Sequence, residues 1–356
     1  FETAVREGKP DTVMCSYNKI NGTFASENHW LLTEVLRDEW GFEGYVMSDW
    51  GAVNDRVRGL EAGLDLEMPA SGGHTDAEIV AAVKDGTLDE AVLNRAVERI
   101  LRIIFKFADD RRPGDFDKEK HDRLAEKIAE ESMVLLKNDG LLPLPKAGKK
   151  IAFIGKFAQK PRFQGGGSSH INSCKITGAL EAAGQLPEIT SDITYAQGYD
   201  TAEDRTDPAL LAEAVKAAEE ADVAVIFAGL PDAFESEGYD RSHMQMPECQ
   251  NELIREILRV QKNTVVVLHN GSPVEMPWAG DVNAILESYL CGQAVGAAQV
   301  RLLFGLANPC GKLAETIPLK LQDNPSYLNF PGDGQTVEYK EGVFVGYRAY
   351  DTQEMD

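Results

Sequence analysis

The chain has 356 residues, enough for two ordinary domains, and with 43% apolar and 26% charged residues it can bury a substantial core. Asp and Glu outnumber Lys and Arg by 58 to 36, a formal charge of −22. A surface of that sign repels nucleic-acid phosphates and anionic membranes, so a neutral small molecule is the expected partner.

No apolar run approaches the length of a membrane-spanning helix, and no signal peptide is visible. The start, Phe1 to Val5, reads as the middle of a helix and not as a translation start. Cys15, Cys174, Cys249, Cys291 and Cys310 are scattered and form no C-x-x-C pair, which argues against a disulfide framework and against a zinc site. Buried free thiols in a reducing, cytoplasmic compartment are expected, and no metal or organic cofactor is called for.

Residues 1 to 8 read as a helix tail ending at Gly8. Val13 to Ser16 is a short buried strand, and Tyr17 to Gly22 is a polar loop after it. Ser26 caps a helix whose apolar positions Leu31, Leu32, Val35, Leu36 and Trp40 follow the 3.6 period and close at Gly41. Next comes Gly44-Tyr45-Val46-Met47-Ser48-Asp49-Trp50-Gly51, an apolar run that stops on an acid, an aromatic and a glycine. Tyr45 to Ser48 suits a buried parallel strand, which puts Asp49 at a carboxyl end, where α/β sheets and barrels bind ligands. The alternative is that Asp49 merely caps the following helix, Ala52 to Ala62, and that Trp50 only packs.

Leu64 to Pro69 is a third strand stopped by proline. Two helices with capping boxes follow, Thr75-x-x-Glu78 and Thr87-x-x-Glu90. The second runs to about Phe107 with Leu93, Val97, Ile100, Ile104 and Phe107 on one face. Residues 1–107 are therefore β/α units in parallel-sheet order. Three strands cannot close a barrel that needs eight, so the sheet is open or the first part of its domain is absent.

Residues 108–149 form a linker and connecting helix: a charged stretch from Ala108 to Lys120, then an amphipathic helix from His121 to Lys137. A second domain, 150–356, opens with a strand at Ile151 to Gly155. Strands at Ile193 to Ala196, Val223 to Phe227, Val265 to Leu268 and Ala284 to Leu286 follow, with helices such as Pro208 to Ala221, capped by Asp207, and Pro247 to Val260. Uninterrupted apolar strands alternating with helices mean a mostly parallel sheet covered on both faces. The end, Val337 to Asp356, reads as an edge hairpin with no final helix.

Two loops in this domain carry chemistry. Gly165-Gly166-Gly167-Ser168-Ser169-His170 lacks the third glycine of a dinucleotide turn and the Gly-Lys-Ser/Thr of a phosphate loop, so it suits close backbone approach to some other ligand. Phe234-Glu235-Ser236-Glu237-Gly238-Tyr239-Asp240-Arg241 packs acids, an aromatic and an Asp-Arg pair into eight residues. That suits a ligand-facing loop, or else a solvated acidic one.

These stretches occur in the order seen in family 3 glycoside hydrolases, and the chain resembles their β-glucosidase branch. The resemblance is carried by Ser48 to Ala52, Ala62 to Pro69, Glu131 to Asn138, the glycine-serine loop, Glu235 to Arg241 and Asn270 to Glu275 with Trp278. Asn308-Pro309-x-Gly311-Lys312-Leu313 and Tyr339 to Arg348 extend it over almost the whole chain. It implies an α/β fold: the C-terminal part of a (β/α)8 TIM-like barrel on 1–107 carrying the nucleophile, then an α/β sandwich carrying the acid/base, with the active site between them. Asp49 matches the nucleophile and Glu237 the acid/base, with Glu235 the alternative acid. Met14, Tyr17 and Trp50 match residues lining the sugar subsite, and Ser168 or Ser169 reaches it from the sandwich.

The family's upstream Asp, Arg and Lys-His pair have no counterpart here, nor does the fibronectin-type domain beyond the C-terminus. The chain is thus expected to be an internal fragment, nearly inactive alone, whose partner is the missing barrel portion or a second copy of itself. The implied function is a retaining, exo-acting β-glycosidase, most readily a β-glucosidase releasing terminal glucose by double displacement. A β-xylosidase or α-L-arabinofuranosidase of the same family, or a non-catalytic sugar-binding fragment, is the alternative. An N-acetylglucosaminidase fits less well, because that branch needs no Glu237 loop. Retention requires the two carboxyl groups about 5–5.5 Å apart.

Overall fold

The computed structural model describes residues 1–108 and 114–355, in two units, Phe1–Asp115 and Phe116–Asp356. Residues 109–113 of the expected charged linker lie outside the described residues.

In the first unit β1 (Thr12–Met14) pairs in parallel with β4 (Tyr45–Met47), Val13 opposite Val46. The third expected strand reduces to one parallel bridge, Met47 to Leu66. The reason is local: the Ser48 hydroxyl donates to the Met68 carbonyl at 3.1 Å and accepts from the Met68 N–H at 2.8 Å, a side-chain substitute for the ladder. The loop expected at Tyr17 to Gly22 ends in a small hairpin, β2 (Lys19–Ile20) and β3 (Thr23–Phe24). Asn21 (φ +50°) and Gly22 (φ +84°) form its two-residue turn, the left-handed pair that a right-twisted hairpin favours.

The helix at Trp30–Glu39 closes at Gly41 as expected, but Ser26 does not cap it. Ser26 is buried and donates to the Ala52 carbonyl, while Asn28 Oδ1 accepts from the Leu31 N–H. Neither expected capping box forms. Thr75 lies inside the helix His74–Asp85, where its hydroxyl donates to Glu67 and also bonds the Ser71 hydroxyl; Thr87 bonds Asp85 and Ala82, leaving Asp89 to accept from the Ala91 N–H. Val5, Leu32, Leu36, Phe42, Val46 and Leu64 make one core cluster. Along the helix Glu90–Ala108 the expected packing face is largely open: Val97, Ile104 and Phe107 are exposed, and only Ala96 is buried.

In the second unit the helix Lys118–Ser132 is shorter than expected, and the residues up to Asn138 are a strand, β5 (Val134–Asn138). β5 is antiparallel to β10 (Ala284–Glu287), with a register shift at Ile285/Leu286. β6 (Lys150–Ile154), β7 (Asp192–Ala196), β8 (Val223–Gly229), β9 (Thr264–His269) and β10 are parallel, in sheet order β5-β10-β9-β8-β6-β7. Every residue of β8 and β9 is buried, because helices cover both faces. Burying each Val or Ile contributes roughly 1.5–3 kcal/mol.

Asp207 caps the helix Pro208–Glu219 by accepting from Ala209 and Leu210, and Asp204 accepts the first N–H groups of the helix Glu248–Val260. The chain leaves β6 toward β7, then returns to place β8, β9 and β10 on the other side. The switch point is therefore between β6 and β8, where an open α/β sheet leaves a crevice at its carboxyl ends. In place of the expected final hairpin there is a helix, Tyr347–Gln353, that buries Ala349 and Tyr350. All five thiols are free. Cys15 and Cys249 are buried, but Cys174 and Cys310 are exposed, contrary to expectation. Among the described residues no helix is long and apolar enough to cross a membrane.

Candidate active site

In the first unit the sequence-expected residues Met14, Tyr17, Asp49 and Trp50 collect at the carboxyl ends of β1 and β4. Cys15 N–H bonds the Met47 carbonyl and Ser48 N–H the Leu66 carbonyl, both at 2.9 Å, so the backbone is fastened up to the residue before Asp49. The helix that follows begins at Arg56, and its cap is Asp55, which accepts from the Arg58 N–H. Asp49 is thus released from the capping role. Its Oδ1 accepts from the Trp50 N–H at 2.7 Å, and Tyr17 donates its hydroxyl to the Trp50 carbonyl at 3.0 Å. Met14, Tyr17 and Trp50 are each more than half exposed, which leaves two aromatic faces and a thioether turned outward beside a carboxylate. Burial pushes the Cys15 thiol up, in keeping with its place in the core cluster behind these residues.

Behind β4 lies a group the sequence reading did not single out. Asp65, with 1% of its side chain exposed, takes Arg37 at 2.7 Å, Arg99 at 3.0 Å and the Val46 N–H at 2.8 Å. Arg37 is itself buried, which lowers its pKa to about 10. Arg56, also buried, donates to the Leu64 and Asp65 carbonyls.

In the second unit the carboxyl ends of β8, β9 and β10 carry the acidic loop, Asn270 to Ser272, and Glu287. The two candidate acids of the loop have opposite surroundings. Glu235 has 13% of its side chain exposed and both oxygens engaged. Arg162 and the Gly271 N–H (2.6 Å) meet Oε1, while the Ser272 N–H (3.0 Å) and hydroxyl (2.5 Å) meet Oε2. Glu237 is exposed, on a turn closed by a bridge between Ser236 and Tyr239, with Gly238 at φ +98°.

The glycine-serine loop lies directly on that turn. The Ser168 N–H donates to Glu237 Oε2 at 2.6 Å. A Cβ at Gly166 would stand 2.5 Å from the Ser236 hydroxyl, and one at Gly167 2.5 Å from Glu237 Cβ, so both positions need glycine for the approach itself. Ser168 therefore reaches Glu237 through its backbone; the Ser169 hydroxyl stays on its own loop, 3.5 Å from the Gly166 carbonyl. A cleft of about 510 Å³ runs along Gly165, Glu237, Tyr239, His243 and Met244.

Two buried titratable groups underlie these loops. Burial raises Glu287 to about 8, although it accepts from Tyr289 N–H and Asn270 Nδ2. Burial lowers His269 to about 4. Its Nδ1 faces the Arg162 carbonyl at 3.2 Å and its Nε2 faces the Gln299 amide nitrogen at 2.9 Å, which fits a neutral ring protonated on Nδ1. Arg162 was not anticipated, since a lone arginine in Lys160-Pro161-Arg162-Phe163 carries no periodic or motif signal.

A β/α unit with an acid at its strand mouth, followed by an α/β sandwich with a second acid on a turn, has the two-part arrangement that the family resemblance implies. Residues 1–103 match the glycosyl hydrolase family 3 N-terminal domain and residues 133–347 the family 3 C-terminal domain. The chain belongs to glycosyl hydrolase family 3, its first unit the closing portion of a TIM-like barrel and its second the α/β sandwich.

It is 58% identical to the thermostable beta-glucosidase B of Acetivibrio thermocellus over 355 residues, 99% of this chain and 47% of that one. It is 48% identical to an exo-alpha-(1->6)-L-arabinopyranosidase of Bifidobacterium breve, over 99% of this chain and 47% of that one. The crystal structure of a Bifidobacterium adolescentis family 3 beta-glucosidase superposes with a TM-score of 0.92 at 48% identity, covering 100% of this chain and 52% of that one. Beta-glucosidase 3B of Thermotoga neapolitana, solved with alpha-D-glucose, gives 0.87 at 33%, with 100% and 55% covered. The chain spans about half the length of the curated relatives it matches.

Proposed function

We propose that the chain carries the two reacting carboxyl groups of a retaining β-glycosidase, with β-glucosides as the main substrate class. In the first step an Asp49 carboxylate oxygen attacks the anomeric carbon, the glycosidic C–O bond breaks, and the Glu237 proton passes to the leaving oxygen. In the second, Glu237 takes a proton from water, the water oxygen attacks the anomeric carbon, and the bond to Asp49 breaks. With Glu237 Oε2 accepting from the Ser168 N–H, the transferable proton belongs on Oε1. Met14, Tyr17 and Trp50 offer apolar faces to the sugar, and the Ser168–Ser169 loop holds the acid.

The observation that carries the choice of acid is the contrast within one loop. Both oxygens of Glu235 are occupied by donors, including a guanidinium, and neither is free to face a leaving group, whereas Glu237 stands at an exposed turn tip. The names of the relatives support glucosides as the substrate class. A second reading, an α-L-arabinopyranosidase, is favoured by the Bifidobacterium relative. That linkage is also equatorial, so the same double displacement serves it.

The test, run on the chain joined to the barrel portion it is expected to lack, is a panel of p-nitrophenyl β-glucoside, β-xyloside and α-L-arabinopyranoside, with NMR of the first-formed anomer. Fastest turnover of the glucoside with β-glucose formed first is expected. Inversion, or sugar binding without turnover, contradicts the proposal.

A further inference from the structure

Both oxygens of Glu235 are engaged, it lies two residues before Glu237, and its partners come from two separate stretches of chain, Arg162 and Gly271-Ser272. Arg162 grips the start of the loop. Its Nε donates to Asp232 at 2.9 Å, Nη1 to the Leu230 carbonyl at 2.9 Å, Nη2 to the Glu235 carbonyl at 3.1 Å, and Nη1 also meets the Glu235 carboxylate. Beyond Glu237, Arg241 donates to the Ser272 hydroxyl at 2.9 Å and to the Pro273 carbonyl at 3.0 Å. The same Ser272 donates its N–H and hydroxyl to Glu235. The segment from Glu235 to Arg241 is thus an arch with both feet on one serine, and Glu237 is near its crown.

Ser272 is in turn held from below. Asn270 Nδ2 bonds the Ser272 carbonyl and Glu287, each at 3.1 Å. No regular strand or helix spans residues 230–241; beyond the Ser236–Tyr239 bridge and a few turn bonds, side chains hold them.

We propose that Glu235 is a positioning residue, tying the loop after β8 to the loop after β9 so that Glu237 projects at a fixed place for proton transfer. The inference rests on the glycosidase reading above. An acid displaced by about 1 Å loses on the order of a hundredfold in rate. That loss falls only on steps that use the acid or base, and this separates positioning from general support of the sandwich.

The experiment compares the full chain, joined to the same barrel portion, with Glu235→Ala, Glu235→Gln, Glu237→Ala and the double variant Glu235→Ala/Glu237→Ala. Each is assayed for kcat/KM on methyl β-glucoside, a poor leaving group, and on 2,4-dinitrophenyl β-glucoside, a good one. Glu235→Ala is expected to lose about a hundredfold on the first and only a few-fold on the second. In the Glu237→Ala background the same change costs less than about threefold, because its effect runs through a residue already removed.

Glu235→Gln, which keeps the volume and one acceptor, falls between wild type and Glu235→Ala. If Glu235→Ala does not fold, Ser272→Ala removes the shared foot and is expected to show the same leaving-group selectivity. Equal losses on both substrates, or a Glu235 effect that multiplies the Glu237→Ala loss in full, overturn the proposal. Wild type without turnover of either substrate overturns the glycosidase reading and this one with it. Wild-type turnover with losses blind to the leaving group overturns this one alone.

Discussion

In the first unit Asp65 takes Arg37, Arg99 and the Val46 N–H, and so fastens β4, the strand that leads to Asp49. In the second unit Glu235 takes Arg162, Gly271 and Ser272, and fastens an irregular arch that carries Glu237. Both are arginine-clamped carboxylates beside an outward-facing one, but the scaffolds differ. Asp49 also inherits its place from ladder bonds through Cys15 and Ser48, whereas Glu237 has only the Ser236–Tyr239 bridge and a long bond from its N–H to the Gly166 carbonyl, and otherwise depends mainly on side chains. A backbone-fixed group tolerates loss of its clamp until the unit melts; a side-chain-fixed group loses its geometry first.

The sharpest way to test that contrast is to remove the two outward carboxylates. Asp49→Gly is expected to lower kcat about 10⁴-fold or more on every glycoside, as deletion of a covalent nucleophile does. Steady-state assays on activated and unactivated substrates measure it, and retained turnover removes Asp49 from the role. Glu237→Ala is expected to cost about 10²–10⁴-fold on unactivated glucosides, far less on dinitrophenyl glucoside, with partial rescue by azide. Equal losses on both substrates would return the acid role to Glu235.

The clamps are the next largest effect. Asp65→Ala strands the buried Arg37 beside no carboxylate and is expected to cost about 3–5 kcal/mol, read as a lower urea midpoint. Activity below that midpoint should stay within a few-fold of wild type. A large kinetic loss at native stability would mean that β4 is no more self-supporting than the arch.

The smallest effect concerns the layer beneath Ser272. Burial raises Glu287 from 4.5 to about 8, so folding favours its protonated form. Its contribution is fully present below 4.5 and is lost as the pH rises through 8. His269, lowered from 6.5 to about 4, acts oppositely: its contribution is present above 6.5 and lost as the pH falls. Between pH 6.5 and 8 the Glu287 slope therefore stands alone, at most roughly 1.4 kcal/mol per pH unit. Glu287→Gln should flatten the urea-derived stability across that window. An unchanged slope would show that Glu287 is ionised in the fold.

The parallel strands of the sandwich were legible because each is an uninterrupted apolar run, and β6 to β10 fall within a residue or two of expectation. β5 was not, since Val134-Leu135-Leu136-Lys137 continues the helical pattern of the preceding turn; only pairing with Ala284 to Glu287 makes it a strand. The capping boxes at Thr75 and Thr87 failed because the helices start elsewhere: Thr75 is already inside His74–Asp85, and Asp89, not Thr87, accepts an N–H at the start of the helix from Glu90.

Asp49, Glu237 and the Ser168 loop stood out through acids and glycines at strand ends. The clamps did not, because their partners are remote: Arg162 is 73 positions from Glu235, and Gly271 is 36 beyond it. No local pattern encodes such a pairing.

The most direct measurement is to trap the glycosyl-enzyme with a 2-deoxy-2-fluoro-β-glucoside bearing a good leaving group and to map the labelled peptide by mass spectrometry. A fluoroglucosyl adduct on Asp49, absent in Asp49→Gly, is the predicted result. Label on another carboxylate, or inversion of configuration with no adduct at all, would contradict the account.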